Sequence, residues 1–398
     1  MNLIKRISQG VLFSSLIGMS FLQGDNLNSN KKDNLLSISK EIFIPEYKRE
    51  LKNVFMKFQP EIKYQEAIIR EVLNYSNINF MLAKSSKKEF ESFSKNICES
   101  FNKIIPSYYD NEGSLRQLWA QDLFEILITD KDKKIILPNF FNLDNSLNPF
   151  INLLKKDSIN YLISKNNFEG GHLTYDFFNG QNILFSGTKN DFINSLSKKE
   201  KVFNYKKEFG ADTIVFLNND VSNTPLFHID QCFTFVDSGK IAILDLNKYS
   251  LQDFYLEKGK NVSVFEEEFY RNISSADVNG SFISNMLIES LADSKKILNE
   301  MKNKFFQLGY EVFSLPASFW QLANYQSYMN SRLFMYERKR KILMPLFPNS
   351  EGIYSIDFPK NKEAKEFFEN FGLEVIPIEN KSWIKQGNIH CLTVSPHD

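Results

Sequence analysis

Histidine and cysteine are scarce in this chain, four and three in 398 residues. Three of the histidines stand in short polar motifs: Phe168-Glu169-Gly170-Gly171-His172, Phe227-His228-Ile229-Asp230, and Gly387-Asn388-Ile389-His390-Cys391-Leu392-Thr393. A thiol with a distant imidazole and several carboxylates is the sequence form of a cysteine nucleophile with an acid–base partner. In His228-Ile229-Asp230 the two polar side chains fall on one face if the segment is extended, because strand side chains alternate. Nearby Phe227, Phe233 and Phe235 would make that space apolar. A hydrogen-bonded core histidine with a capping aspartate fits the same residues. So does a metal, but the further ligands to hand, His390 and Cys391, are adjacent and would face opposite sides of a strand, so no metal is expected.

The other motifs carry similar pairs of readings. Gly170 and Gly171 after Glu169 imply a tight turn or a close backbone approach. His172 alternates with apolar residues and reads as structural. In Trp119-Ala120-Gln121-Asp122, the aspartate opens an apolar run. It suits a turn cap, or the strand edge where α/β enzymes place their sites. Cys391 lies close to the end of the sequence, where chains fray, and a lone thiol is usually buried and inert. A reactive Cys391 requires its segment to be pinned into the fold.

The elements that must hold these residues follow from short apolar runs punctuated by turn residues. Strands are expected at 123–128, 182–185, 213–217, 233–236, 240–244, 311–314, 341–346, 352–356, 373–377 and 389–394. Helices are expected at 191–200, 282–308 and 363–371, and residues 42–102 read as mostly helical. Alternating strands and helices indicate an α/β or α+β fold. No internal break of composition divides the chain, so 35–398 reads as a single domain. The basic run Glu337-Arg338-Lys339-Arg340-Lys341 reads as a solvated loop.

Composition narrows the function classes. Lys plus Arg equals Asp plus Glu at 48 each, which gives no whole-chain reason to expect nucleic acid. The 38 phenylalanines point to a bulky core. Cys98, Cys232 and Cys391 are too few and too far apart for a disulfide scaffold or a structural zinc site. Lys5 and Arg6 before the apolar stretch 10–22 read as an export signal over 1–24, followed by a polar linker at 25–34. The stretch is too short for stable membrane insertion. A secreted or periplasmic location is therefore expected, and a cytoplasmic one if the signal reading fails.

Taken in order, Trp-x-x-Asp at 119–122, Glu-Gly-Gly at 169–171, His-x-Asp at 228–230, Ser327-Tyr328-Met329-Asn330 and Gly-Asn-Ile-His-Cys-Leu-Thr at 387–393 resemble the guanidine-modifying, or pentein, superfamily. The nearest branches are the agmatine deiminases and the bacterial peptidylarginine deiminases, and the match runs from about residue 35 to the end. The resemblance implies an α/β propeller of five ββαβ-type units. It implies Cys391 as the nucleophile on the guanidinium carbon and His228 as the acid that releases ammonia and later activates water. Asp122 and Asp230 would grip the guanidinium, Glu169 would orient His228, and Trp119 and Asn330 would line the substrate site. No cofactor and no metal are implied, and the partner is a guanidinium-bearing substrate, an arginine residue or a small relative such as agmatine. Gln121-Asp122-Leu123-Phe124, where the small-substrate branch has Arg-Asp-Thr-Gly-Pro, leans towards peptidylarginine. An amidinotransferase, or a pentein-fold binding or virulence protein without turnover, fits the same motifs.

Overall fold

Fifteen strands in five three-stranded sheets make up the framework among the described residues. The computed structural model describes residues 41–58, 65–97, 103–109, 125–139, 151–152, 154–155, 160–187, 196–217, 226, 228–257, 280–323, 326–349, 352–381 and 389–393. The sheets join β1 (Asn53–Lys57), β2 (Asn77–Ala83) and β3 (Ile104–Tyr109); β4 (Glu125–Ile128), β5 (Lys133–Leu137) and β6 (Tyr161–Ile163); and β7 (Leu173–Phe178), β8 (Gln181–Gly187) and β9 (Thr213–Leu217). The last two join β10 (Phe233–Asp237), β11 (Lys240–Asp245) and β12 (Glu311–Pro316), and β13 (Arg332–Tyr336), β14 (Lys339–Leu346) and β15 (Glu374–Glu379). Four sheets share one pattern, an antiparallel pair whose second strand pairs in parallel with a third. The first sheet is parallel throughout.

Local chemistry accounts for these units. Asn179-Gly180 turns β7 into β8 with φ of 50° and 73°, the left-handed pair that a tight hairpin demands. Glu337-Arg338 makes the same kind of turn between β13 and β14 without a glycine, at φ 49° and 63°. Helices α1 (Glu66–Tyr75), α2 (Lys87–Ile97), α3 (Lys198–Phe209), α4 (Leu251–Glu257), α5 (Gly280–Gln307), α6 (Phe319–Ala323), α7 (Pro359–Glu369) and α8 (Ile389–Leu392) complete the described elements. A capping box between Ser197 and Glu200 starts α3, and left-handed Gly210 ends it. The phenylalanines go inside: Phe185, Phe305 and Phe368 are fully buried, each contributing about 2–3 kcal/mol of burial free energy.

The α/β class is as expected, and several elements differ. The stretch read as mostly helical, 42–102, holds β1 and β2 as well as α1 and α2. Short apolar runs such as Val54-Phe55-Met56 fit either period, and only pairing to a neighbouring strand decides. Residues 352–356 form no strand, and of the helix expected over 191–200 the described part is helical from Lys198, residues 191–195 lying outside the described residues. The segment expected as a terminal strand is instead the short helix α8. The basic run is only partly a loop: Glu337 and Arg338 form the exposed turn, whereas Lys339, Arg340 and Lys341 belong to β14, where Lys341 pairs with Glu374 and Arg340 with Asp237. No helix among the described residues is long and apolar enough to cross a membrane. The segments read as signal and linker lie outside the described residues.

Candidate active site

Glu169 closes an extended stretch and is followed by a single 3-10 turn, Gly170–His172, which leads into β7. This turn brings the Glu169 carboxylate to His228, with Oε2 3.0 Å from the imidazole Nε2. A carboxylate only accepts, so Nε2–H is the donor of this bond. Gly171 is required by close approach: a Cβ there would sit 2.5 Å from His228 Nδ1. His172 is buried and lies edge-to-face on the His228 ring at 4.5 Å. Glu169, His172 and His228 bring their ligand atoms within 4.8 Å of one another, a donor set that could hold a transition metal.

His228 and Asp230 do not lie on an extended strand. His228 is extended, but Ile229–Gln231 is a 3-10 turn, because its backbone closes on itself before β10 begins. The two side chains therefore serve different partners. His228 meets Glu169, whereas Asp230 Oδ2 lies 3.0 Å from His390 Nδ1. Cys232, at the end of the turn, is buried and unbridged, and burial together with the Asp230 charge pushes its thiol far above the usual range. It is the inert cysteine of the region.

Three motifs far apart in sequence are tied pairwise. Ser327 Oγ donates to the Gln231 carbonyl at 2.6 Å, joining the Ser-Tyr-x-Asn segment to the His-x-Asp turn. The His390 backbone N–H donates to the carbonyl of fully buried Asn330 at 3.2 Å, joining that segment to α8. The His390–Asp230 contact closes the triangle. Asn330 thus sits beside α8, which carries Cys391 and whose first residue, Ile389, is fully buried. Trp119 and Asp122 lie outside the described residues, as does the side chain of Cys391.

A further group was not evident from the sequence. His390 Nε2 lies 3.2 Å from Glu46 Oε2. Glu46 also pairs with Arg332, which in turn binds the Thr393 carbonyl and hydroxyl. Burial, then the Arg332 charge, pull the His390 pKa down, against the upward pull of Asp230 and Glu125. Glu125 is wholly buried at the start of β4, and desolvation raises its pKa to about 8 despite nearby Arg49 and His390. Burial also raises Tyr175, whose hydroxyl bonds Arg49. His390 stood in a motif that was read for its cysteine. Arg332, a cation within a strongly apolar strand, was the one local signal for the rest.

An imidazole paired to a carboxylate beside a second buried carboxylate can move protons next to a bound cation. Comparison with solved structures gives the fold. The chain superimposes on the agmatine deiminase of C. jejuni with a TM-score of 0.56 at 15% identity, covering 92% of this chain and 99% of that one. A second structure, described as a candidate agmatine deiminase, matches with a TM-score of 0.58 at 13% identity, covering 90% and 96%. No protein-family profile and no curated protein matches the sequence.

Proposed function

We propose that this protein is a guanidine deiminase that works through a covalent cysteine intermediate. The observation that carries the reading is the convergence of three motif segments, in which Glu169 meets His228 and His390, next to Cys391, meets Asp230. The fold shared with agmatine deiminases supports it, and the five sheets suit five blades of a pentein propeller.

In this reading Asp230 and Asp122 accept the in-plane N–H groups of the guanidinium and set its carbon against the sulfur of Cys391. The thiolate adds to that carbon, its proton having passed to His228. His228 then protonates the leaving nitrogen, ammonia departs, and an S-alkyl thiouronium remains. A water, deprotonated by His228, adds to the same carbon. The C–S bond breaks, returning the thiolate and releasing a ureido product. One guanidinium and one water become one urea and one ammonium, without a redox step. Glu169 accepts from Nε2 and orients the ring. Paired carboxylates oppose the thiolate, and the bound cation offsets them. We read residues 1–24 as an export signal, which would place this chemistry outside the cytoplasm.

The test is ammonia and ureido product from agmatine, free arginine and a peptide with an internal arginine, measured beside Cys391→Ala. Turnover on at least one of the three is expected, falling by about 10⁴-fold or more in the variant. No turnover on any of them refutes the enzyme reading, and turnover that survives Cys391→Ala refutes the mechanism.

A further inference from the structure

We propose that His390 is a positioning residue that orients the substrate carboxylate Asp230 and locks it to the turn bearing the nucleophile. The inference rests on the deiminase reading above and assigns a role to a residue outside the Cys–His–Asp set.

Asp230 is 7% exposed and belongs to the turn 229–231, while His390 belongs to α8, 160 positions away. Their 3.0 Å contact uses Nδ1, the nitrogen nearer the backbone, so the ring has little freedom to swing while the bond is kept. The far nitrogen, Nε2, is held by Glu46 at 3.2 Å, from a segment 344 positions away. The backbone of His390 is fixed at both ends: its N–H donates to Asn330, and its carbonyl accepts from the Thr393 N–H. Thr393 Oγ1 donates to the Ile389 carbonyl at 2.7 Å and secures the same turn. Asp230 is therefore aimed by a side chain that is itself fixed from four directions, and the next residue in the chain is Cys391.

The identity of the residue has a chemical reason. A carboxylate meant for a guanidinium must be oriented without being neutralised. A lysine or arginine donor at 3 Å would be a permanent cation competing with the substrate for the same charge. An imidazole offers a directional N–H at each nitrogen, and a ring that donates to both Asp230 and Glu46 divides its one positive charge between two carboxylates, so Asp230 is not neutralised. The groups facing it are Asp230 from the turn 229–231, Glu46 from the turn Glu46–Lys48, Arg332 from β13 and Glu125 from β4. The cation of that set, Arg332, is engaged by Glu46 and Thr393. The permanent positive charge of Arg332 is thus engaged by groups other than the carboxylate that would receive substrate.

Two isosteres separate the contacts. The amide nitrogen of Asn can occupy the place of Nδ1, and that of Gln the place of Nε2. His390→Asn therefore keeps the donor to Asp230, and His390→Gln keeps only the reach to Glu46. With the full chain and whichever guanidine it turns over, His390→Ala is expected to lose about 10²-fold in kcat/KM, shared between KM and kcat, because Asp230 both binds and aligns. His390→Asn should recover to within about tenfold of wild type, while His390→Gln stays with Ala. Thermal unfolding of all three checks that each is folded, and equal melting points for Asn and Gln make their rates comparable. Asn no faster than Gln, or Ala as fast as wild type, overturns the inference while leaving the deiminase reading in place. A wild type with no turnover on any guanidine overturns both.

Discussion

Asp176 and Asp230 are both buried carboxylates, and one short turn reaches both: Tyr47 binds Asp176, and its neighbour Glu46 joins the network of Asp230. Around Asp176, on β7, each oxygen accepts from a tyrosine hydroxyl, Tyr47 at 2.9 Å and Tyr310 at 3.1 Å. Burial raises the pKa of Asp176, and it raises both phenols far above the range in which they could give up a proton. Its three residues come from strands and turns outside the motifs. Around Asp230 the donor is an imidazole, its second partner is another carboxylate, and both His390 and Asp230 lie in motif segments. Burial and hydrogen bonding are thus common to Asp176 and to the carboxylate we propose for substrate. What separates them is whether the partners can exchange protons and whether the carboxylate is aimed or merely saturated.

Matched substitutions break this comparison most directly. Asp230→Asn should lower kcat/KM by about 10³-fold with little change in unfolding midpoint, because it removes charge from the guanidinium site. Asp176→Asn should do the opposite. It should leave kcat/KM within a few-fold and cost about 1–2 kcal/mol in urea unfolding, as one hydroxyl must turn to accept from the new amide. If both variants lose activity equally, the distinction between the two clusters fails. A smaller effect is expected at Gly171, where a methyl group would meet the His228 ring at 2.5 Å. Gly171→Ala should lower kcat by about 10- to 10²-fold by displacing the imidazole, and unchanged kinetics would show that the ring can yield.

The smallest effect, taken over a single pH unit, belongs to Glu125. Its folded pKa is raised from the ordinary 4.5 to about 8, so between those values the folded protein keeps a proton that the unfolded chain has released. The unfolded state then binds fewer protons, and stability falls as pH rises through that window, by at most about 1.4 kcal/mol per unit. Glu125→Gln should flatten this fall, so that its urea midpoint overtakes that of wild type towards the alkaline end. Parallel curves for the two proteins would show that Glu125 does not titrate in this range.

Parts of the fold were legible because local chemistry agreed with the final pairing. The run at 213–217 is bounded by turn residues, and it became β9 with those limits. The stretch from 282 to 308 kept helical spacing over many turns, and α5 spans Gly280–Gln307. Gly171 was legible too, since consecutive glycines after a glutamate announce a close approach. Val54-Phe55-Met56 was not, because an apolar run that short carries no period of its own. Ile389-His390-Cys391-Leu392 misled for a related reason. A short run after a Gly-Asn turn reads as a strand, but contacts with Asn330, Asp230 and Glu46 hold it as a turn of helix.

The sequence by itself determined the residue types that can do chemistry, their order along the chain, and the glycine that lets an imidazole pack against backbone. Those properties are local, set by side-chain chemistry and by the absence of a Cβ. Only the tertiary structure decided that Asp230 faces His390 rather than sharing a face with His228, and that Glu46 and Arg332 complete its surroundings. Hydrogen bonds between residues 160 and 344 positions apart leave no periodic trace, because their geometry exists only after the sheets have packed.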